Sequence, residues 1–321
     1  SSSLRGLGLN KIESSLFGRF IDLIFILATV GAAGGTIGSY IPMLSSAFSN
    51  LFNLNNNLYL DIGVIFLCVG LFGLSVYRGL DRGIKILSNF NLVLALVFLF
   101  LISISTDFIK LLNLAFSGIY YSFYYFWEMS TLGINENSEF AKEWTIFYWA
   151  WWVAFGPLVG LFIAKISKGR TLRQIIFGML FFGTLGTWLF YLILGGYSMN
   201  SELTGTFDVA KSMNEVGHAD TVINVINSLP YKTIMLFIFC LITIVFITTS
   251  YDSMSYVISY HVLKTDGHSS NPHRNIRLFW AVILGILPAA LVLYSDHSVA
   301  LDLILITSLP LMLVYPLMAI S

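Results

Sequence analysis

The chain has 321 residues, of which 57% are hydrophobic and 11% are charged, and its formal net charge is zero. Soluble domains carry about 25% charged residues, so this composition excludes an ordinary soluble protein, and the balanced charge gives no support to nucleic-acid binding. We therefore expect an integral membrane protein.

Eight stretches of the chain reach the length of about 20 apolar residues that a helix needs to cross a bilayer. These predicted spans are residues 17–42, 60–77, 84–106, 144–166, 172–195, 231–260, 278–294 and 299–320. The Asn- and Ser-rich segment 45–57 is expected to be a surface connection, and a longer loop is expected between the fifth and sixth spans. Residues 107–129 are aromatic and amphipathic, which is typical of a helix that lies at the membrane interface.

The lysines and arginines predict the orientation of these spans. Most of the 17 basic residues fall in the segments that share a side with the N-terminus, and basic loops remain in the cytoplasm. An even number of crossings places both ends of the chain on the same side. The sequence thus predicts a multi-pass protein of the plasma (inner) membrane, with both ends of this chain in the cytoplasm.

Aromatic residues cluster within the fourth predicted span. Tyr148, Trp152 and Phe155 recur at the spacing of one helix face, and Trp151 flanks that face. Stacked aromatic rings can bind a quaternary ammonium group, with a gain of about 2 kcal/mol or more in a desolvated site. A belt at the membrane interface fits these residues less well, because the tryptophans lie about 10 Å deeper than such a belt. Simple packing between helices is an equally acceptable interpretation.

The sixth predicted span contains a run of hydroxyl side chains. Phe246, Thr249, Ser250 and Ser253 follow helical spacing, so that hydroxyls and a backbone carbonyl can converge on one point. Hard oxygen ligands of this kind suit a small alkali cation. The alternative is that the hydroxyls donate to carbonyls of the preceding turn. In the same span, Asp252 must face protein or water, and either an ion pair or a role in transport would explain it.

Sequence motifs of enzymes are missing from the chain. It contains neither Gly-x-Ser-x-Gly nor His-Glu-x-x-His, and its five histidines lack the spacing of metal ligands. We therefore expect no catalytic activity, no catalytic residue, and no bound metal other than a possible coupling ion.

Four stretches closely resemble the signature of the betaine/carnitine/choline transporter family. They read EWTIFYWAWWVAFGPLVGLFIAKISKGRTLRQ, IDLIFILATV, GLDRGIKILSNFN and FITTSYDS. The resemblance implies a five-plus-five inverted-repeat, leucine-transporter-like fold, usually a homotrimer in the lipid bilayer. Trp152 would line the central aromatic box, with Trp151 and Phe155 along the same pathway. The Phe246 carbonyl and the Thr249 and Ser250 hydroxyls would bind sodium.

The resemblance also predicts where this chain departs from the family. Phe155 stands where tryptophan is usual. At a second sodium site, Thr29 is retained while Ala33 and Leu158 replace the other groups, so that Thr29, Thr36 and Ser253 are secondary candidates only. The chain resembles the family from the fifth of twelve helices onward, which predicts an N-terminally truncated fold lacking four helices. Residues 1–106 would complete the first repeat, 107–143 would form a periplasmic amphipathic helix and loop, and 144–321 would form the second repeat.

The function implied is sodium-coupled symport of a quaternary ammonium compatible solute, such as glycine betaine, choline or carnitine, for osmoprotection. Sodium would be the coupling ion, with no other cofactor and no nucleic-acid partner. A sodium-independent antiporter or a carrier of a sulfonium analogue is the first alternative. A membrane scaffold or sensor without transport activity, as a truncated relic of a carrier, is the alternative from another class.

Overall fold

The computed structural model of the chain describes residues 15–78, 81–131, 144–262, 272–294 and 297–320, and every regular element in these ranges is a helix. The α-helices are α1 (Leu16–Phe52), α2 (Leu58–Arg78), α3 (Asp81–Ile104), α4 (Phe108–Tyr124), α5 (Phe126–Thr131), α6 (Ile146–Ile166), α7 (Leu172–Phe190), α8 (Gly196–Thr204), α9 (Val209–Asn227), α10 (Lys232–Val262), α11 (Arg274–Tyr294) and α12 (His297–Ile320). A π-helical segment, Tyr191–Gly195, joins α7 to α8. The all-α prediction is confirmed. The predicted loop at 132–143 and the basic N-terminal residues lie outside the described ranges.

Eight segments of the described chain are long and apolar enough to cross a membrane, which confirms the predicted number. They are α1, α2, α3, α6, the continuous run from α7 to α8, α10, α11 and α12. The local sequence explains several of their boundaries. At the start of α7, for example, the Thr171 hydroxyl accepts from the Gln174 amide while the Gln174 side chain accepts from the Thr171 amide.

The first helix is longer than predicted. The expectation of a loop over 45–57 is wrong for its first half, since α1 continues to Phe52. The residue that caps the end of the helix, Asn53, adopts a left-handed conformation. Ala47 lies in the buried core with Ile226 of α9. The polar-looking end of α1 is therefore helical because one of its faces packs against another helix.

The segment between α8 and α10 also differs from the expectation of a loop. It forms α9, whose start is capped by the Asp208 carboxylate accepting from the Lys211 amide. Gly217 interrupts the helix at φ 81°, a backbone conformation that favours glycine. After this kink, Ile223 and Ile226 are buried in the main core. The second half of α9 is thus a packed part of the bundle.

Small residues bring helices close together around α1. A side chain at Gly31 would collide with Thr307 of α12, and one at Gly34 would collide with Leu287 of α11. Similarly, Gly156 of α6 lies against the Tyr315 hydroxyl of α12, which donates to the Val153 carbonyl over 3.0 Å. These close approaches, typical of membrane helices, hold α6, α11 and α12 around α1.

A helix is present where the sequence predicts an interfacial one, and it is α4. Its start is capped by the Asp107 carboxylate, which accepts from the amides of Ile109 and Lys110. Leu111 is its only buried residue among those described, whereas Tyr120 and Tyr124 are exposed. Its location at the membrane interface stays a prediction.

Candidate functional site

A column of aromatic rings begins at Trp144, two residues before α6, and continues through the first half of that helix. Trp144 stacks on Tyr148 with ring centroids 6.0 Å apart, and Trp151 lies 5.7 Å from both Phe147 and Tyr148. Trp151 also meets Phe155 edge-on at 6.2 Å. We call these five residues the aromatic column. Three predicted substrate-contact residues, Tyr148, Trp151 and Phe155, thus lie together on one side of α6.

Neighbouring helices fix the position of the aromatic column. Phe155 is 9% exposed and lies in a buried cluster with Ala32 of α1 and Ile304 of α12, and Met254 of α10 packs against the same cluster. These contacts are those that the packing interpretation predicts. They also hold the rings rigidly, which a binding site for a cationic group requires.

Trp152 lies apart from the aromatic column. Its side chain is 64% exposed, and the neighbouring Trp149 is 70% exposed. Although the spacing predicts a shared face with Tyr148 and Phe155, Trp151 takes that place in the described structure. The role of Trp152 as a substrate contact therefore stays a prediction.

Tyr148 and Trp151 both contribute polar groups to the aromatic column. The hydroxyls of Tyr148 and Tyr191 form a hydrogen bond of 2.9 Å, which links α6 to the π-helical segment. The indole N–H of Trp151 is buried and has no acceptor among the described residues. A buried donor without a partner is unfavourable, so this N–H is available to an incoming acceptor. Tyr191 could not be predicted as a member of this site, because nothing in its spacing relates it to α6.

The hydroxyl groups of α10 are partly engaged within their own helix. The Thr249 hydroxyl donates to the Val245 carbonyl at 2.9 Å and approaches the Phe246 carbonyl at 3.2 Å. The Ser253 hydroxyl donates to the Thr249 carbonyl at 2.9 Å. The Ser250 hydroxyl makes no hydrogen bond to any part of the chain that the structure describes. Donation to a carbonyl leaves the oxygen lone pairs free, so all three hydroxyls can still bind a cation.

A cavity of about 270 Å³ is lined by one predicted substrate-contact residue and by the hydroxyl residues of α10. Phe155 of the aromatic column lines it on the α6 side, and Thr249, Ser250 and Ser253 line it on the α10 side. Ser88 of α3 contributes one more hydroxyl. The side chain of Phe246 is not part of this lining. It is half exposed and meets Tyr40 of α1 edge-on at 6.5 Å.

The two threonines of α1 lie outside this cavity. The Thr29 hydroxyl donates to the Phe25 carbonyl at 2.8 Å, and the Thr36 hydroxyl donates to the Ala32 carbonyl at 2.7 Å. Thr29 is fully buried. Neither of these two secondary candidates lines the cavity that the α10 hydroxyls share.

Asp252 forms a buried ion pair. One of its carboxylate oxygens accepts from the Arg277 guanidinium of α11 at 2.7 Å, and the other accepts from the Ser75 hydroxyl of α2 at 2.7 Å. The side chain of Asp252 is 0% exposed and that of Arg277 is 7% exposed. The Arg277 guanidinium also lies 5.1 Å from the centre of the Tyr256 ring. Of the two explanations that the sequence left open for Asp252, the structure supports the ion pair.

The whole chain is similar to a known family of proteins. A family model described as BCCT, betaine/carnitine/choline family transporter, matches residues 1–321. The glycine betaine transporter OpuD of Bacillus subtilis (strain 168) is 32% identical over 326 aligned positions, which cover 100% of this chain and 62% of that protein. The carnitine transporter of Acinetobacter baumannii is 30% identical over 284 positions, covering 87% of this chain and 51% of that protein. The betaine/ectoine transporter LcoP of Corynebacterium glutamicum is 31% identical, covering 100% of this chain and 51% of that protein.

Proposed function

Because the chain belongs to the betaine/carnitine/choline transporter family, we propose that it serves sodium-coupled symport of a quaternary ammonium compatible solute. The chain is a multi-pass membrane protein, and it spans about half to two thirds of the length of the relatives compared above. The observation that carries the proposal is the cavity of about 270 Å³, which is lined by both Phe155 and the α10 hydroxyls. It puts an aromatic surface beside a group of hard oxygen ligands.

The aromatic part of the proposed site would bind the ammonium group. The rings of Tyr148, Trp151 and Phe155 are held together by packing, so little conformational freedom is lost when a cation binds to their faces. Trp152 would contribute its exposed ring from the adjacent face of α6. The unpaired indole N–H of Trp151 would donate to the anionic end of a zwitterionic substrate.

The hydroxyl part of the proposed site would bind sodium. Thr249 and Ser250 supply side-chain oxygens, and the carbonyl of Phe246 lies one turn away on the same helix. Sodium binding would stabilise the form of the protein that also binds substrate, so that the two bind together. Alternating access would then move one group of helices relative to the other around this site.

The remaining features of the proposal concern the whole protein. We propose that it acts in the plasma membrane with the ends of this chain in the cytoplasm, and that it assembles as a homotrimer. The inverted-repeat arrangement, with segments 1–106, 107–143 and 144–321, belongs to the same proposal. The orientation is supported by the concentration of lysine and arginine in alternate connections.

Counterflow of labelled glycine betaine tests the proposal. The protein is reconstituted in liposomes loaded with unlabelled glycine betaine, and entry of the label is measured with and without sodium. The symport proposal predicts entry that requires sodium. Entry that ignores sodium would favour the antiporter, and its complete absence in a folded preparation would favour a scaffold or sensor.

The contribution of Trp152 is tested by Trp152→Leu, with Trp149→Leu as a matched control from the same exposed region of α6. We expect Trp152→Leu to abolish saturable glycine betaine binding and Trp149→Leu to preserve it. Wild-type affinity in Trp152→Leu would mean that this ring only faces lipid or another helix.

A further inference from the structure

A second and larger cavity lies where α1, α9 and α10 meet, at the end of the bundle that contains the α1–α2 connection. Its volume is about 490 Å³. Lys232 is the only charged residue in its described lining, and the other polar groups there include Thr233, Asn50, Asn53 and Asn227. No carboxylate from the described chain lines it. The cavity is therefore electropositive and suited to an anion.

Hydrogen bonds fix one wall of this cavity. The Asn227 side-chain amide donates to the Asn50 side-chain oxygen at 3.0 Å, and the Asn50 amide donates to the Ser46 carbonyl at 2.9 Å. This chain of bonds ties α9 to α1. By contrast, the Lys232 ammonium and the Thr233 hydroxyl form no ion pair or hydrogen bond with any residue within the described ranges. The cavity thus combines a rigid amide wall with two uncommitted donors.

The cavity also has a smaller apolar surface. Leu51, Leu54 and Leu236 line it, and two residues adjacent to the lining in sequence, Phe52 and Tyr231, are exposed. The cavity lies at the ends of the spanning helices α1 and α10, where exposed aromatic residues commonly mark the boundary between lipid and water. A ligand with one anionic group and an apolar portion would match both surfaces.

We propose that this cavity binds the phosphate group of a membrane phospholipid. Lys232 is the charged contact, and the Thr233 hydroxyl and the Asn53 amide are neutral donors. A phosphodiester carries a single negative charge, which one lysine balances, and the leucine side chains accommodate the adjoining glycerol and the first part of the acyl chains. This site is independent of the proposed transport function.

The test uses the whole protein, delipidated in a maltoside detergent, with phosphatidylglycerol as the probe. Native mass spectrometry counts the bound lipid molecules and gives the affinity of each. We expect Lys232→Gln to weaken one lipid site about tenfold, since it removes a charge-assisted hydrogen bond. Lys232→Arg should retain that site. Lys211→Gln is the matched control, because Lys211 is an exposed lysine of α9 that does not line the cavity.

A second variant keeps the test decisive if Lys232→Gln fails to fold. Asn53→Asp places a negative charge in the cavity at an exposed position whose left-handed backbone aspartate tolerates. It should weaken the same lipid site. Wild-type lipid binding by folded Lys232→Gln or Asn53→Asp overturns the proposal. Binding of inorganic phosphate that depends on Lys232, without bound phosphatidylglycerol, overturns the assignment to a lipid.

Discussion

Replacing Arg277 by methionine should destabilise the protein strongly. The change leaves the Asp252 carboxylate, which is 0% exposed, with the Ser75 hydroxyl as its only remaining hydrogen-bond donor from another helix among the described residues. Removal of one partner from a buried ion pair costs about 3–5 kcal/mol, because the other charge is left uncompensated. Since Asp252 joins α10 to both α2 and α11, the loss should loosen the contacts among all three helices. The free energy of unfolding, measured by SDS titration in mixed micelles, is the appropriate readout.

The exposed pair of Lys211 and Glu215 supplies the control. Its charged atoms are 3.9 Å apart and the two side chains are 65% and 62% exposed, so Lys211→Met should change the free energy of unfolding by about 0–1 kcal/mol. The double variant Asp252→Leu/Arg277→Met removes both buried charges and should recover most of the lost stability. A loss below about 1 kcal/mol in Arg277→Met, or no recovery in the double variant, would mean that Arg277 is not needed to compensate the buried Asp252 charge.

Three further predictions concern the candidate site and its supports. Thr249→Ala/Ser250→Ala should raise the sodium concentration for half-maximal glycine betaine uptake, and an unchanged sodium dependence would refute the proposed sodium ligands. Trp152→Leu should remove glycine betaine uptake while size-exclusion chromatography still shows a folded protein, whereas uptake at the wild-type level would remove Trp152 from the site. Gly156→Leu should lower the melting temperature, because the leucine side chain would collide with the Tyr315 hydroxyl. An unchanged melting temperature would mean that the close contact between α6 and α12 does not contribute to stability.

Most of the spanning helices could be predicted from the sequence, because long apolar runs determine them directly. The second half of α9 could not, since the kink at Gly217 divides it into short pieces with polar residues on their exposed sides. Its helical state depends on the burial of Ile223 and Ile226 against α1 and α10. The same packing explains why α1 continues past the predicted boundary.

The candidate site was predictable as a set of residue types but not as an arrangement. Helical spacing related Tyr148 to both Trp151 and Trp152, and only the positions of α1 and α12 decide that Trp151 joins the buried rings. Likewise, the sequence indicated that Asp252 needed a partner but could not identify Arg277, which lies 25 residues further along the chain. Such pairings depend on how helices pack, which the local sequence does not encode.

Glycine betaine accumulation driven by an imposed sodium gradient distinguishes sodium-coupled symport from the alternatives. Proteoliposomes containing potassium are diluted into a sodium medium with labelled glycine betaine, and the internal label is followed over time. Sodium-coupled symport predicts that labelled glycine betaine transiently accumulates above its external concentration, and that a sodium ionophore abolishes this accumulation. Equal accumulation when potassium replaces external sodium would contradict sodium-coupled symport.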